Sequence, residues 1–296
     1  MSVITRKNAE TMPQKEWNRF VSALNEFKAG GGYDLKTQHH AQAMRTLTLF
    51  PDETGTMRNV AHRGPAFFPW HRQALRELEL TLIDIQKDLF PFANPVGIPY
   101  WRWNVNTTNW QNSGIWQRVG GNGVSSQGWK INTGPFAGWT STIIRNNGFA
   151  SRPGIVRQFN TRAMPSWGTT SIYTFDAEPW NENSTNSESF RRFFEVKHNA
   201  VHINVGGDML APTSPNDPLF WLHHCNVDRA WARWQSARGI FNYQPNGEGP
   251  IGHNVGDAPS LLDSSSHDPP KIIDEMLDPD NIDMPGEGFA YDTLLP

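Results

Sequence analysis

The feature that most constrains this chain is the placement of its histidines. Eight of the ten fall in four tight groups, 39/40, 62/71, 198/202 and 223/224, and only His253 and His267 stand apart. His198 and His202 lie four residues apart in the stretch Phe193-Phe194-Glu195-Val196-Lys197-His198-Asn199-Ala200-Val201-His202. On a helix that spacing puts both rings on one face, one turn apart. Further on, Asn216-Asp217-Pro218-Leu219-Phe220-Trp221-Leu222-His223-His224 offers a third imidazole from a neighbouring helix. Neutral imidazole is a good ligand for copper, zinc, iron and nickel. A donor set made only of histidine favours copper or zinc, and a structural zinc site would more usually recruit cysteine, of which the chain has one, Cys225. Taken singly, each pair has a bland reading, because a lone histidine on a helix more often belongs to the surface or the core. The groups together carry the argument. Adjacent helical positions diverge by about 100°, so at most one ring of His39-His40 and one of His223-His224 should point inward.

Hydrophobic periodicity puts these groups on helices. Residues 13–29 read as amphipathic, with Pro13 in the first turn, Trp17, Phe20, Val21, Leu24 and Phe27 on one face, and Gly30-Gly31-Gly32 as the stop. A second helix starts near Asp34 and carries His39 and His40. Residues 51–59 read as a polar turn. Pro65 and Pro69 keep most of 61–72 out of a helix. A long helix then spans about 70–89, with His71 in its first turn, Leu75, Leu78, Leu82, Ile85 and Leu89 on the apolar face, and Arg76, Glu77 and Lys87 facing water. Residues 104–189, rich in Gly, Asn, Ser, Thr and Trp, predict a long irregular excursion with short strands or turns packed by tryptophan. Helix returns at 190–203 with His198 and His202 and is broken by Gly206-Gly207. Asn216 or Asp217 caps the next helix, with Pro218 in its first turn, and that helix runs to about 237. Beyond Gly239 the chain predicts an extended tail with one short helix near 272–277.

Composition removes several function classes. A net charge of −3 with no basic block excludes a nucleic-acid partner. No apolar run is long enough for a membrane span, and the first residues lack the apolar core of a signal peptide, so the expectation is a soluble protein, cytoplasmic or exported with a partner. One cysteine forbids an intrachain disulfide. The 13 Trp and 17 Phe suit a core around a cofactor or an aromatic substrate, and equally a plain core.

The two histidine regions resemble the copper A and copper B motifs of the tyrosinase, catechol oxidase and haemocyanin family, in the style of its small bacterial members. Ala61-His62-Arg63-Gly64 through Phe68-Pro69-Trp70-His71-Arg72 resembles the second and third copper A histidines. His198-Asn199-Ala200-Val201-His202 resembles the first two copper B ligands, and Asn216 through His224 to Asp228 the third. Thr5-Arg6-Lys7-Asn8, Pro99-Tyr100-Trp101 and Gly134-Pro135-Phe136 match as well, and the resemblance covers roughly 4–240. The implied fold is mainly α: an antiparallel four-helix bundle enclosing a dicopper site, with long irregular loops and minor β structure. It implies a single domain over 1–296, with a core at about 4–240 and a C-terminal tail, 241–296, packed on it. Copper A is then held by His40, His62 and His71, and copper B by His198, His202 and His224. Asp228, one turn past His224, is expected to accept a hydrogen bond from a ligand imidazole.

The resemblance further implies two copper ions, O2 as co-substrate and small phenols as substrates. The activity would be ortho-hydroxylation of monophenols and oxidation of o-diphenols to o-quinones. Glu195 and Asn199 are expected to hold the water that takes the phenolic proton, although Glu195 is nearer to His198 than the bacterial pattern has it. Phe220 is expected to pack near the copper pair. Ile203 and Ala211 fall where the family lines its entrance, which predicts an open mouth without a cationic group and without preference for acidic substrates. The family's Tyr-Trp-Asp-Trp reads Tyr100-Trp101-Arg102-Trp103 here, and Cys225 lies beyond reach of the copper A thioether seen in some relatives. A copper-delivery helper protein and a monomer or homodimer are further expectations. Alternatives are a catechol or o-aminophenol oxidase lacking the hydroxylation step, and a haemocyanin-like oxygen carrier.

Overall fold

The computed structural model describes residues 3–48, 58–166, 189–259, 271–283 and 286–294. The polar turn expected over 51–59 lies outside them for residues 51–57, as do residues 167–188 of the excursion and His267. In chain order the elements are β1 (Ile4–Arg6), α1 (Gln14–Ala29), α2 (Gly32–Arg45), β2 (Leu47–Thr48), β3 (Arg58–Asn59), α3 (Phe67–Leu89), α4 (Ile115–Val119), β4 (Thr140–Arg145), β5 (Gly148–Pro153), α5 (Phe190–Val205), α6 (Leu219–Arg238) and β6 (Phe289–Tyr291). The fold is a helical bundle, in which α2, α3, α5 and α6 carry the grouped histidines other than His62, with short two-stranded sheets around it.

Helix α1 follows Pro13 and buries Trp17, Phe20, Ala23 and Leu24. Gly31, at φ 80°, turns the chain straight into α2, so that helix begins two residues before Asp34. Asp34 is bonded instead to Lys28 Nζ and Thr142 Oγ1, at 2.5 and 3.1 Å. Helix α3 begins at Phe67, earlier than the prolines suggested. Pro69 lies in its first turn, where a backbone N–H has no intrahelical acceptor, so the missing donor costs nothing there. Ser189 caps α5, its hydroxyl oxygen accepting from Arg192 N at 3.3 Å.

Arg76 and Glu77 do not face water. Both are buried: Arg76 pairs with Glu79 and Asp283, and Glu77 accepts from Lys36 Nζ at 2.8 Å. Lys36 comes from α2, whereas the partner of Arg76 at Asp283 comes from the tail. The tail returns across α3, and β6 pairs in parallel with β1, Ile4 opposite Phe289 and Arg6 opposite Tyr291. That pairing buries Arg6, whose guanidinium takes both oxygens of Glu79 and also reaches Asp228 Oδ2 at 3.1 Å. A 3-10 turn at Asp274–Met276 stands where the short tail helix was expected. Within the excursion, β4 and β5 form an antiparallel hairpin, and Arg157 ties the segment to the start of α6 through a fully buried pair with Asp217. Pro218, not Asn216 or Asp217, stands at the N-cap of α6; Asp217, just before it, accepts from Leu219 N at 3.0 Å while it neutralises Arg157. One apolar cluster runs from Ala9 through the excursion's Trp110, Trp116 and Trp139 to Phe289 in the tail.

Candidate metal centre

Two groups of imidazoles meet at the middle of the bundle. His40 from α2, His62 from the loop after β3 and His71 from α3 each place one ring nitrogen within 4.8 Å of the others; His198, His202, His223 and His224, from α5 and α6, do the same. The groups face each other: the rings of His71 and His224 stack at 4.1 Å with 8° between planes, and His62 lies 5.8 Å from His198. Phe220 sits between them, 4.2 Å from the His224 ring and 4.9 Å from that of His40. His40, not His39, joins the first group.

The hydrogen bonds fix which nitrogen is available. His40 Nδ1 bonds to the carbonyl of Pro212, His71 Nδ1 to that of Phe67 and His202 Nδ1 to that of Met209, each at 2.7 Å. A carbonyl only accepts, so each of these Nδ1 atoms carries the proton and each Nε2 presents a lone pair. The buried Nε2 atoms of His40 and His71 have no hydrogen-bond partner. His198 Nδ1 donates to Asn199 Oδ1 at 3.1 Å, leaving its Nε2 2.9 Å from His202 Nε2 and 3.1 Å from His224 Nε2. The His198 and His202 lone pairs face each other at 2.9 Å and repel. A cation among them would relieve this. Buried, unpartnered nitrogen donors in two facing groups fit a binuclear copper centre.

Burial keeps the rings neutral. It is the largest influence on His40 and His202, pushing both down to about 4 against the partial support of their backbone carbonyls. Burial first, then the neighbouring imidazoles, hold His62, His71, His198, His223 and His224 well below the usual histidine range. A neutral ring is the form that binds a metal.

Two expectations about α6 need correction. Both rings of His223-His224 are buried, not one. Their directions diverge as expected, but His198 projects between them: it stacks on His223 at 5.0 Å and 14° and meets His224 at 4.7 Å and 62°. Asp228 does not accept from a ligand imidazole. Its carboxylate takes Arg72 Nε at 2.6 Å, Arg6 Nη1 at 3.1 Å and the Tyr291 hydroxyl at 2.5 Å, while His224 Nδ1 has no partner. It therefore joins α6 to α3 behind the metal centre through the residue that follows His71.

A cleft of about 520 Å³ opens onto the histidines, lined by Met44, Asn59, Arg63, Glu195, Asn199, Ile203, Met209, Leu210, Ala211 and Ser214. Ile203 and Ala211 lie at it as expected, but Arg63 lines it too, so the mouth does carry a cation. Glu195 is buried rather than solvent-facing, and both its oxygens already hold donors: Oε1 takes Arg63 N at 2.6 Å and Oε2 takes Arg191 Nη1 at 2.5 Å. The His62 loop is pinned from several sides. Asn59 Oδ1 accepts from His62 N at 2.7 Å, and the tail's His253 accepts from Ala66 N at 3.2 Å through Nδ1. Gly64 lies so close beneath His253 that a Cβ there would come within 2.6 Å of its ring. The sequence reading gave no role to His253 or to the three carbonyls, because backbone acceptors leave no side-chain pattern and His253 is distant in sequence.

The family model for the common central domain of tyrosinase matches residues 24–237. A tyrosinase of Streptomyces glaucescens is 36% identical over 255 residues, covering 81% of this chain and 85% of that protein. The grixazone synthase of Streptomyces griseus is 35% identical over 272 residues, covering 79% and 85%. Among solved structures, a functional unit of Octopus hemocyanin superposes with a TM-score of 0.62 at 20% identity, over 99% of this chain and 69% of its own. A polyphenol oxidase variant from Thermothelomyces thermophila gives 0.63 at 17% identity, over 98% and 89%. These structures share the helical fold, and the sequence relatives share most of the chain with it: this protein belongs to the tyrosinase family.

Proposed function

We propose that the chain is a copper-dependent oxidoreductase that uses O2 to hydroxylate monophenols at the ortho position and to oxidise o-diphenols to o-quinones. The observation that supports this best is the convergence of imidazole nitrogens from two facing groups at an open cleft, with the Nε2 atoms of His40 and His71 buried and unpartnered. His40, His62 and His71 would hold one copper and His198, His202 and His224 the other. Copper held there supplies the electron chemistry with O2.

The remaining work belongs to the chain. The carbonyls of Pro212, Phe67 and Met209 fix ring orientation and tautomer, a role that raises ligand basicity. The cleft has room for a single-ring phenol and offers Met44, Ile203, Leu210 and Ala211 as apolar contacts. A phenol has a pKa of about 10 and must lose its proton before it can bind as phenolate at neutral pH. Glu195 and Asn199 both reach the cleft and lie one turn apart on α5, so one water can be held between them to take that proton. Each carboxylate oxygen accepts more than one hydrogen bond, which leaves Glu195 capacity beyond Arg63 N and Arg191.

The test is a Glu195→Gln substitution, with Asn199→Ala beside it. Monophenol turnover should fall about 10²-fold, with o-diphenol turnover much less affected. Equal rates for wild type and Glu195→Gln on a monophenol would remove Glu195 from proton handling. A second reading, oxidation of o-diphenols or o-aminophenols without the hydroxylation step, draws on the same residue: two donors already share the Glu195 charge. Wild-type uptake on a catechol but on no monophenol would select it.

A further inference from the structure

We infer that Arg63 selects phenols that carry an anionic group, a carboxylate above all, on the side of the ring away from the reacting carbon. The inference rests on the proposed phenol oxidation and assigns its substrate class.

Arg63 sits at φ 59°, in the left-handed region that a side chain larger than glycine seldom adopts. Such a conformation persists where the surroundings hold it. Here Glu195 Oε1 accepts from Arg63 N, Asn59 Oδ1 accepts from His62 N, and the tail's His253 packs on Gly64 and accepts from Ala66 N. Three separate elements thus fix the direction in which the side chain leaves the backbone, and that direction brings it to the cleft. The guanidinium is exposed and has no carboxylate partner among the described residues.

The balance of charge in the cleft points the same way. Its other ionic side chain, Glu195, is paired with Arg191 at 2.5 Å. The rest of the lining is neutral: imidazoles, two amides, a hydroxyl and apolar groups. Arg63 is therefore the uncompensated charge at the mouth. A guanidinium presents a planar fork of donors that matches a carboxylate bidentately. A phenol whose hydroxyl points to the histidines would direct a short para substituent back toward that mouth.

The test compares para-hydroxyphenylacetate with its amide, which has the same shape without the charge. The readout is the ratio of their kcat/KM values on copper-loaded protein. In Arg63→Gln that ratio should fall about fivefold, mostly through KM, and Arg63→Lys should restore part of it. Added salt should compress the wild-type ratio and leave that of Arg63→Gln unmoved. An identical ratio in wild type and Arg63→Gln would overturn the inference. A second readout needs no copper and no turnover: fluorine NMR titration of the metal-free protein with para-fluorophenylacetate and its amide. Tighter binding of the anion to wild type than to Arg63→Gln supports the assignment, and equal binding refutes it. If loaded wild type oxidises no phenol at all, the proposed function fails, while the metal-free titration still decides the role of Arg63.

Discussion

Replacing Asp228 by Asn tests how the two metal-bearing helices are held together. The carboxylate is 2% exposed and is the one acidic partner of Arg72 among the described residues, with Arg72 fully buried beside it. Arg72 would keep Gln235 Oε1 at 2.9 Å, the carbonyls of Met276 and Leu277 at 3.0 Å each, and the Trp231 ring at 3.7 Å. None of these carries charge. Arg6 is better protected, because it retains both oxygens of Glu79. The expected loss is therefore that of one broken buried pair, about 3–5 kcal/mol, rather than two. Burial already weighs most on the Arg72 guanidinium and lowers its pKa despite Asp228, so little else offsets the removal. The control is Asp84→Asn, which breaks an exposed pair with Lys87 on the same helix, where both partners are more than 40% exposed. That change should cost about 0.5 kcal/mol or less. Urea denaturation of the metal-free proteins measures both. A cost for Asp228→Asn no larger than that for Asp84→Asn would refute the argument that this carboxylate neutralises a buried cation between α3 and α6.

Two further outcomes follow from the site. The folded metal-free protein holds His40 and His202 at about 4, below their ordinary 6.5, so the unfolded chain binds more protons between those values. Stability should be complete above about pH 6.5 and fall as the pH drops toward 4, by on the order of 3 kcal/mol for each ring, whereas bound copper should shift the loss to lower pH; flat stability across that window, read by urea denaturation at stepped pH, would contradict the burial assigned to these rings. Phe220→Ala removes a ring that is 1% exposed and touches both histidine groups. It should cost about 3–5 kcal/mol by denaturation and speed copper loss to a chelator, and a cost below 1 kcal/mol would mean that the ring does not fill the space between the groups.

What the sequence disclosed was local. The step from His198 to His202 and the proline at the start of the helix that carries His223-His224 are short-range patterns, and they placed those rings on α5 and α6. Helix starts were less legible: Pro69 marks the inside of the first turn of α3, not its boundary, because a proline there breaks no hydrogen bond. What remained hidden was non-local or carried by the backbone. Asp228 could be placed one turn past a ligand, yet its true partners come from β1, α3 and β6, far apart in the chain. The parallel pairing of Ile4–Arg6 with Phe289–Tyr291 gives no periodic signal in a three-residue strand. Arg76 and Glu77 read as water-facing because nothing local reveals their distant partners, Asp283 in the tail and Lys36 on α2. Arg63 read as part of a motif; its left-handed backbone, which turns it into the cleft, depends on Glu195 and on His253 in the tail.

The most direct test of the whole account is to load the metal-free chain with copper, count the ions bound per chain, and follow oxygen uptake on a simple monophenol with a matched catechol alongside. The account predicts two coppers per chain and uptake on both substrates with quinone colour. Two bound coppers with no uptake on either substrate would contradict it and leave an oxygen-binding protein in its place.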